Sequence, residues 1–188
     1  MRADLVTNMD EARLVRYCKE NNALAQKALY NTYAEPMMLV CLRYLEREDA
    51  RETLMDGFLS CFKNISAFSY RGEGSLKAWL KKIMINQCLM RLRKKQPVFI
   101  SHTDDLPVEP ASTMESVWDT MNAKEIMSRI QALPDGCRTV FNLYVFEGMG
   151  HKEIAGLLEI TEGTSKSQLH RARQLLKETL LQTSQHIL

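Results

Sequence analysis

Two stretches of this 188-residue chain combine cations with side chains that can reach the bases of nucleic acids. One is HKEIAGLLEITEGTSKSQLHRARQLLK, residues 151–177, which carries no acidic residue from Thr164 onward. Lysine and arginine bind phosphates, and several polar side chains donate hydrogen bonds to base edges in a major groove. The pattern therefore predicts a DNA-binding surface made of Lys166, Ser167, His170, Arg171 and Arg173.

The spacing of apolar residues predicts that two short helices joined by a tight turn carry this surface. Residues 154–158 form the apolar stripe of the first helix, and a break with a glycine follows at residues 161–163. Thr161 can cap the second helix, because its hydroxyl accepts a free backbone N–H. The inner face of that helix is small and apolar, at Ser165, Leu169, Ala172 and Leu176. One such helix alone is usually a solvated surface helix, but the pair predicts a helix-turn-helix.

The second stretch is the loop ISAFSYRGEGS, residues 65–75, together with the helix that follows it. Phe68, Tyr70 and Arg71 can stack on planar groups, and residues 74–103 contain no acid. Aromatic side chains on a loop beside a basic helix suit unstacked bases with their phosphate backbone alongside. The alternative is a surface helix that happens to be basic, and a run of this length without an acid argues against it.

A third helix is predicted from Asp49 to Phe62. Its apolar residues predict a buried stripe made of Leu54, Phe58, Leu59 and Phe62. Glu52 and Asp56 lie four residues apart, so they share an exposed face and repel each other unless a cation meets them. A plain solvated acidic face is the alternative interpretation.

The rest of the chain predicts an all-α protein of two small helical domains joined by a flexible linker. Only 8 glycines and 5 prolines occur, and β-branched runs are few. Pro97 ends the basic helix, and the segment after it is acidic and proline-containing. We expect a first domain at residues 1–96, an acidic linker at 97–118 and a four-helix second domain at 119–188, which ends in the helix-turn-helix.

Several classes of function are disfavoured. The five cysteines are far apart without a Cys-x-x-Cys pair, so the pattern predicts buried thiols and neither a zinc site nor disulfides. No acid–base pair, phosphate-cradling glycine loop or nucleophile with its base is recognisable, so we expect neither an enzyme nor a cofactor. No signal peptide or run of roughly 20 apolar residues occurs, which predicts a cytoplasmic protein without a membrane span.

The order of these blocks resembles the extracytoplasmic-function sigma factors of bacterial RNA polymerase, in the sigma-70 family. The resemblance spans about residues 23–180. It is strongest in LPDGCRTVFNLYVFEGMGHKEIAGLLEITEGTSKSQLHRARQLL and continues in ALYNTYAEPMMLVCLRYL, FLSCFKNISAF and SLKAWLKKIMINQCLMRLRKK. It implies a protein without catalysis of its own that binds core polymerase, recognises two promoter elements and helps to open the duplex.

The resemblance also implies a role for each surface. The minus-35 element would be read by Thr164, Lys166, Ser167, His170, Arg171 and Arg173. A flipped base of the minus-ten element and the DNA beside it would be bound by Phe68, Tyr70, Arg71, Lys81, Lys82 and Asn86. The β′ clamp helices of the polymerase would dock on Glu52, Met55 and Asp56. The family further implies contact with the β flap and a probable anti-sigma factor.

Two residues depart from the family pattern. Met55 stands where a glutamine is usual, and Gly150 stands where a serine often caps the first helix of the helix-turn-helix. Two other functions stay open on the residues alone. A stand-alone helix-turn-helix regulator would use only the C-terminal domain, normally as a dimer. An interaction module or helical enzyme would instead bind acidic proteins or anions on its basic surfaces.

Overall fold

The computed structural model describes residues 10–95 and 123–184, and in these ranges the chain is helical without strands. Residues 10–95 and 123–184 form eight α-helices and one 3-10 turn, Ile65–Ala67. The helices are α1 (Glu11–Lys19), α2 (Ala23–Leu42), α3 (Arg47–Asn64), α4 (Ser75–Lys95), α5 (Ala123–Gln131), α6 (Asp135–Val145), α7 (His151–Leu158) and α8 (Glu162–Ser184). The prediction of an all-α fold is confirmed.

The chain divides into two compact units, Met1–Arg91 and Leu92–Leu188. The predicted acidic linker at 97–118 lies outside the described residues, and the domain limits at 96 and 119 stay predictions. All five cysteines are buried free thiols, as predicted.

The first helix, α1, has a side-chain cap and one buried face. Asp10 is its N-cap, and the carboxylate accepts the Arg13 backbone N–H at 2.7 Å. Leu14, Val15 and Cys18 lie buried at helical spacing. Burial of this stripe fixes one face of α1 on the first unit.

Helix α2 is continuous through Pro36. Asn22 caps it with hydrogen bonds from the backbone N–H groups of Leu24 and Ala25. Met37, Cys41 and, just beyond the helix, Tyr44 are buried.

Helix α3 begins at Arg47, so Asp49 lies within its first turn and is not its cap. Leu54 and Phe58 are buried as predicted, but the prediction for Leu59 was wrong, because 56% of that residue is exposed. A residue directly after Phe58 points about 100° away from it around the helix. Leu59 therefore leaves the core and lies on the side of Met55, four residues earlier.

In the second unit, Arg138 joins the end of α5 to α6. Its guanidinium donates to the carbonyl oxygens of Gln131 (2.7 Å) and Leu133 (3.3 Å) and pairs with Asp135. Gln131 is the last residue of α5 and Leu133 lies two residues beyond it, so the guanidinium caps the end of this helix. The contacts give a structural reason for the arginine in the LPDGCR motif.

The helix-turn-helix consists of α7, residues 159–161 and α8. Glu159 takes the left-handed conformation with φ 59°, and its neighbour Ile160 donates its N–H to Ala155 O at 3.1 Å. The expectation that the turn contains the glycine was wrong, because Gly163 lies inside the first turn of α8. Thr161 caps α8 as predicted: its Oγ1 accepts the Thr164 N–H at 3.0 Å.

Candidate nucleic-acid and protein-binding surfaces

The six residues predicted to read a DNA element all lie on α8, and we call them the recognition face: Thr164, Lys166, Ser167, His170, Arg171 and Arg173. Lys166 and Arg171 are exposed, and the other four are partly buried. The predicted inner face is confirmed, since its four residues are all buried: Ser165, Leu169, Ala172 and Leu176. The buried face holds α8 in the unit and leaves the cations directed outward.

The two hydroxyl-bearing members of the recognition face also make contacts within the helix. The hydroxyls of Thr161 and Thr164 lie 2.9 Å apart, and Ser167 Oγ donates to Thr164 O at 3.1 Å. The hydroxyl proton of Ser167 is used in the bond to Thr164. The cations therefore supply most of the donors that this face offers to DNA.

Beside the recognition face, two side chains lie against the ring of Tyr144. The guanidinium of Arg173 lies 5.6 Å from its centroid, and the His151 ring stacks on it at 4.9 Å and 27°. His151 Nδ1 also lies 2.9 Å from Ser165 Oγ. This cluster ties α6, α7 and α8 together and limits how far Arg173 moves.

The electrostatics of the cluster keep the imidazole neutral. Burial lowers the pKa of His151 below 6.5, and the positive charges of Lys166 and Arg173 lower it further. A neutral ring can accept from the Ser165 hydroxyl or donate to it, according to its tautomer. This contact joins residues fourteen positions apart, so local sequence patterns do not predict it.

Gln168 is a second supporting residue that sequence reasoning missed. It is buried, and its Oε1 accepts from Cys137 Sγ at 2.9 Å. A Cβ at Gly136 would lie 3.1 Å from Gln168 Nε2, so α6 and α8 approach closely there. The small residues Gly136 and Cys137 at the start of α6 thus allow α8 to pack closely against α6.

In the first unit, the segment Ser69–Ser75 is called the base loop. Tyr70 and Arg71 are exposed on it, as a nucleic-acid contact requires. A pocket of about 410 Å³ opens beside it and is lined by Ala67, Phe68, Ser69, Arg71, Ser75, Ala78 and Trp79. Gly72 and Gly74 have φ of 115° and 84°, values that L side chains rarely adopt, so the shape of the loop requires glycine.

Phe68 is placed differently from the expectation of a free stacking ring. Only 7% of it is exposed, and its ring packs on Trp79 at a centroid distance of 4.8 Å. It forms a wall of the pocket, so any contact that it makes with a base occurs inside that pocket. Its contact with DNA stays a prediction.

The predicted contacts on α4 continue from the pocket along the helix. Ala78, Lys82 and Asn86 are exposed at steps of four, which places them in one row. Lys81 lies beside this row and is partly buried. The pocket and this row together form one continuous surface, with a concave site at one end and a cation and an amide beyond it.

The predicted docking surface on α3 mixes apolar and acidic residues. Met55 and Leu59 expose 54% and 56% and lie four residues apart, so they form an apolar pair on one side of the helix. The Tyr30 hydroxyl lies 4.0 Å from Met55 Sδ and supports its position. Asp56 lies next to Met55 and is exposed, and no ion pair to it occurs within residues 10–95 or 123–184.

Glu52, the third predicted docking residue, already has a cationic partner. Arg91 of α4 lies 2.5 Å from Glu52 and 2.8 Å from Asp49. Hydrogen bonds to Glu52 chiefly, and then to Asp49, raise the pKa of Arg91. Glu52 and Asp56 are expected to repel each other unless a cation meets them. For Glu52, Arg91 of the same chain is that cation.

The part of the chain that the structure describes shows neither a metal-binding cluster nor a membrane-spanning helix. No group of three or more histidine, cysteine, aspartate or glutamate side chains could hold a metal ion there. No helix in those residues is long and apolar enough to cross a membrane.

Comparisons with known proteins match both units. Residues 29–98 match the family "Sigma-70 region 2", and residues 123–176 match "Sigma-70, region 4". The chain is 26% identical over 178 residues to the ECF RNA polymerase sigma factor SigW of Bacillus subtilis, covering 88% of this chain and 94% of that protein. It is 24% identical over 192 residues to the RNA polymerase sigma-H factor of Pseudomonas aeruginosa, covering 94% and 96%.

Further similarity appears among curated and solved proteins. The ECF RNA polymerase sigma-E factor of Haemophilus influenzae is 21% identical over 191 residues, covering 94% of this chain and 98% of that protein. Among solved structures, CnrH in complex with the cytosolic domain of CnrY aligns with a TM-score of 0.43 at 18% identity, covering 89% of this chain and 94% of that chain.

Proposed function

Because the chain belongs to the sigma-70 family, as a sigma factor of the extracytoplasmic-function type, we propose that its three surfaces divide the work of promoter recognition among them. A sigma factor of this family binds core RNA polymerase, directs it to specific promoters and assists DNA melting. One observation carries this function: regions 2 and 4 occur in one chain and in the family order. A stand-alone regulator that uses only a helix-turn-helix has no need of region 2.

The recognition face on α8 is proposed to bind the minus-35 element. Its exposed cations, Lys166 and Arg171, lie on a helix whose opposite face is buried. Such a helix can enter a major groove and present donors to base edges, which is how helix-turn-helix proteins read DNA. Arg173 is held by Tyr144, so a phosphate contact at the edge of the groove suits it better than a base contact.

The base loop and α4 are proposed to act on the minus-ten element. Extrusion of a base costs a few kcal/mol of lost stacking, which an enclosed aromatic pocket offsets. The pocket between the base loop and Trp79 supplies aromatic walls, and Arg71 supplies donors at its rim. Lys82 and Asn86 continue along α4 and would contact the backbone of the melted strand.

For the polymerase, we propose that the β′ clamp helices dock on α3 around Met55, Asp56 and Leu59. The exposed apolar pair can bury surface, and the adjacent carboxylate can meet a cation of the partner. We further propose contact of the β flap with the second unit and binding of an anti-sigma factor over the DNA-binding surfaces. Since bacterial RNA polymerase works in the cytoplasm, we propose that location for the chain.

Reconstitution tests the function directly. The purified chain is added to core polymerase, and co-elution and transcription from a library of promoter fragments are measured. We expect a stable complex and a defined set of start sites that core polymerase alone does not use. Binding to DNA without association with core would contradict the proposal and favour a stand-alone regulator.

A further inference from the structure

Helix α1, which precedes the residues matched to region 2, contacts both ends of the base loop. At the start of the loop, Lys19 Nζ donates to the carbonyl oxygen of Phe68 at 2.6 Å. At its end, the carboxylate of Glu11 accepts the backbone N–H groups of Gly74 at 2.9 Å and Leu76 at 2.8 Å. The two side chains lie eight residues apart on one helix, about 12 Å along its axis.

The Glu11 carboxylate replaces a local cap at the start of α4. The first N–H groups of a helix have no partner within it, and the helix dipole favours a negative charge there. The glutamate of α1 supplies that charge from more than sixty residues away. Because α1 is fixed by its buried face, the beginning of α4 and the end of the base loop are fixed with it.

Ser75 links Glu11 to the base loop through hydrogen bonds. Its hydroxyl donates to Glu11 Oε1 at 3.3 Å and accepts the backbone N–H of Arg71 at 3.3 Å. Arg71 and Ser75 both line the pocket. Glu11 therefore acts on the pocket wall through one hydroxyl, without itself lining the pocket.

A second residue keeps the carboxylate in place. The Tyr33 hydroxyl lies 3.3 Å from Glu11 Oε2 and can only donate to it. Burial, and next the charge of Glu11, raise the pKa of Tyr33 to about 12, so this donor keeps its proton over the physiological range. Glu11 thus has four groups directed at it: two N–H groups and two hydroxyls.

We propose that α1 is a positioning element for base capture, in which Glu11 and Lys19 hold the base loop in its pocket-forming shape before DNA arrives. A pocket that is already ordered loses less conformational entropy when a base enters, so capture is stronger. The proposal rests on the proposed role of the base loop in binding a minus-ten base. Neither residue touches DNA in this scheme, since both act through the backbone of the loop and through Ser75.

The test couples protein variants to changes in the DNA. Open-complex formation by the reconstituted holoenzyme is measured on promoter DNA in which each non-template minus-ten base is replaced, one at a time, by an abasic site. The captured base is the one whose removal most reduces open-complex formation by the wild-type protein. We expect Glu11→Gln and Lys19→Met to reduce open-complex formation about tenfold on intact DNA, the scale of one lost charged hydrogen bond.

The decisive readout is the abasic template. On DNA that lacks the captured base, both variants should behave like the wild type, because the pocket then has no occupant to position. A variant that merely weakened the fold would lose activity on both templates to the same extent. The matched controls Glu20→Gln and Lys27→Met change exposed residues of the same region and should leave both templates unaffected.

The outcomes separate this inference from the proposed function. If no abasic position affects the wild-type protein, the base loop does not capture a base and the proposed function of that surface fails. If removal of one base reduces open-complex formation by the wild type and reduces it by the same factor in both variants, α1 does not position the base loop. Co-elution with core polymerase checks the fold of each variant, and Lys19→Met gives the same test at the other end of the loop should Glu11→Gln not fold.

Discussion

Gly57 of α3 lies directly against Met84 of α4. A Cβ built at position 57 would be 2.3 Å from Met84 Sδ and 2.7 Å from its terminal methyl group. Met84 is fully buried, so its side chain has little room to withdraw. The absence of a side chain at residue 57 therefore sets how closely the helix proposed for polymerase docking and the helix proposed for DNA approach each other.

We expect Gly57→Ala to destabilise the protein by about 1–3 kcal/mol, because the added methyl group overpacks this contact. Urea unfolding followed by circular dichroism measures the change. Gly156→Ala is the matched control, since nothing lies within 4 Å of a Cβ there and α7 should gain about 0.5–1 kcal/mol. Equal effects of the two substitutions would contradict the packing argument, and Met84→Ala should cost less stability in the Gly57→Ala protein than in the wild type, because the two side chains compete for one space.

Leu59→Asp should weaken binding to core polymerase at least about tenfold, as for a central residue of an interface, without loss of stability. Affinity for core is measured by fluorescence titration. Leu39→Asp is the control, because Leu39 on α2 is similarly exposed, at 54%, outside the proposed surface. If both variants bind core as the wild type does, the apolar pair on α3 is not the docking surface.

Arg171→Ala should reduce binding to promoters that carry the upstream element by about 1–3 kcal/mol, the range for a base contact. The loss should disappear when that element is scrambled, which competition binding with matched and scrambled fragments reveals. Lys177→Ala, an exposed cation further along α8, should show at most a weak loss of the same size on both fragments. An equal loss for Arg171→Ala on both fragments would mean that it contacts phosphate alone.

The stability of the second unit should fall as the pH drops below 6.5. The pKa of His151 is lowered from 6.5 on folding, chiefly by burial, so the unfolded chain binds the proton more tightly. The neutral ring of His151 stabilises the fold in full above pH 6.5. This contribution to the free energy of unfolding is lost as the pH falls from 6.5 towards the lower pKa that His151 has in the folded protein. Melting temperatures between pH 5 and 7.5 should show a steeper fall for the wild type than for His151→Gln, and identical slopes would contradict the prediction.

The helical spacing of apolar residues predicted an element well where the residues of one helix face determine its packing. The inner face of α8 and the cap at Thr161 follow from residues within a few positions of one another. Leu59 shows the limit of that reasoning, because an apolar residue next to a core residue can face either the core or the solvent, and composition does not say which. The step from Leu54 to Phe58 and Cys61 places the core on the other side of the helix.

The supporting contacts could not be read from the sequence, because they join residues far apart in the chain. Glu11 meets Leu76 across 65 positions, Arg91 meets Glu52 across 39, and Cys137 meets Gln168 across 31. A glutamate, an arginine and a glutamine on amphipathic helices look like solvated surface residues until the helices are placed. For the same reason Phe68 was expected to be free, although Trp79 covers its ring.

The Arg91 ion pairs would link the polymerase and DNA surfaces that we propose for the first unit. One guanidinium on the basic helix binds Glu52, a residue proposed to face the polymerase. A polymerase cation that approaches Glu52 competes with Arg91, and a DNA phosphate that approaches Arg91 competes with Glu52. Because coupling between two binding sites is reciprocal, whichever partner arrives first makes the other bind more tightly. Holoenzyme assembly and promoter binding would then be cooperative through a single side chain.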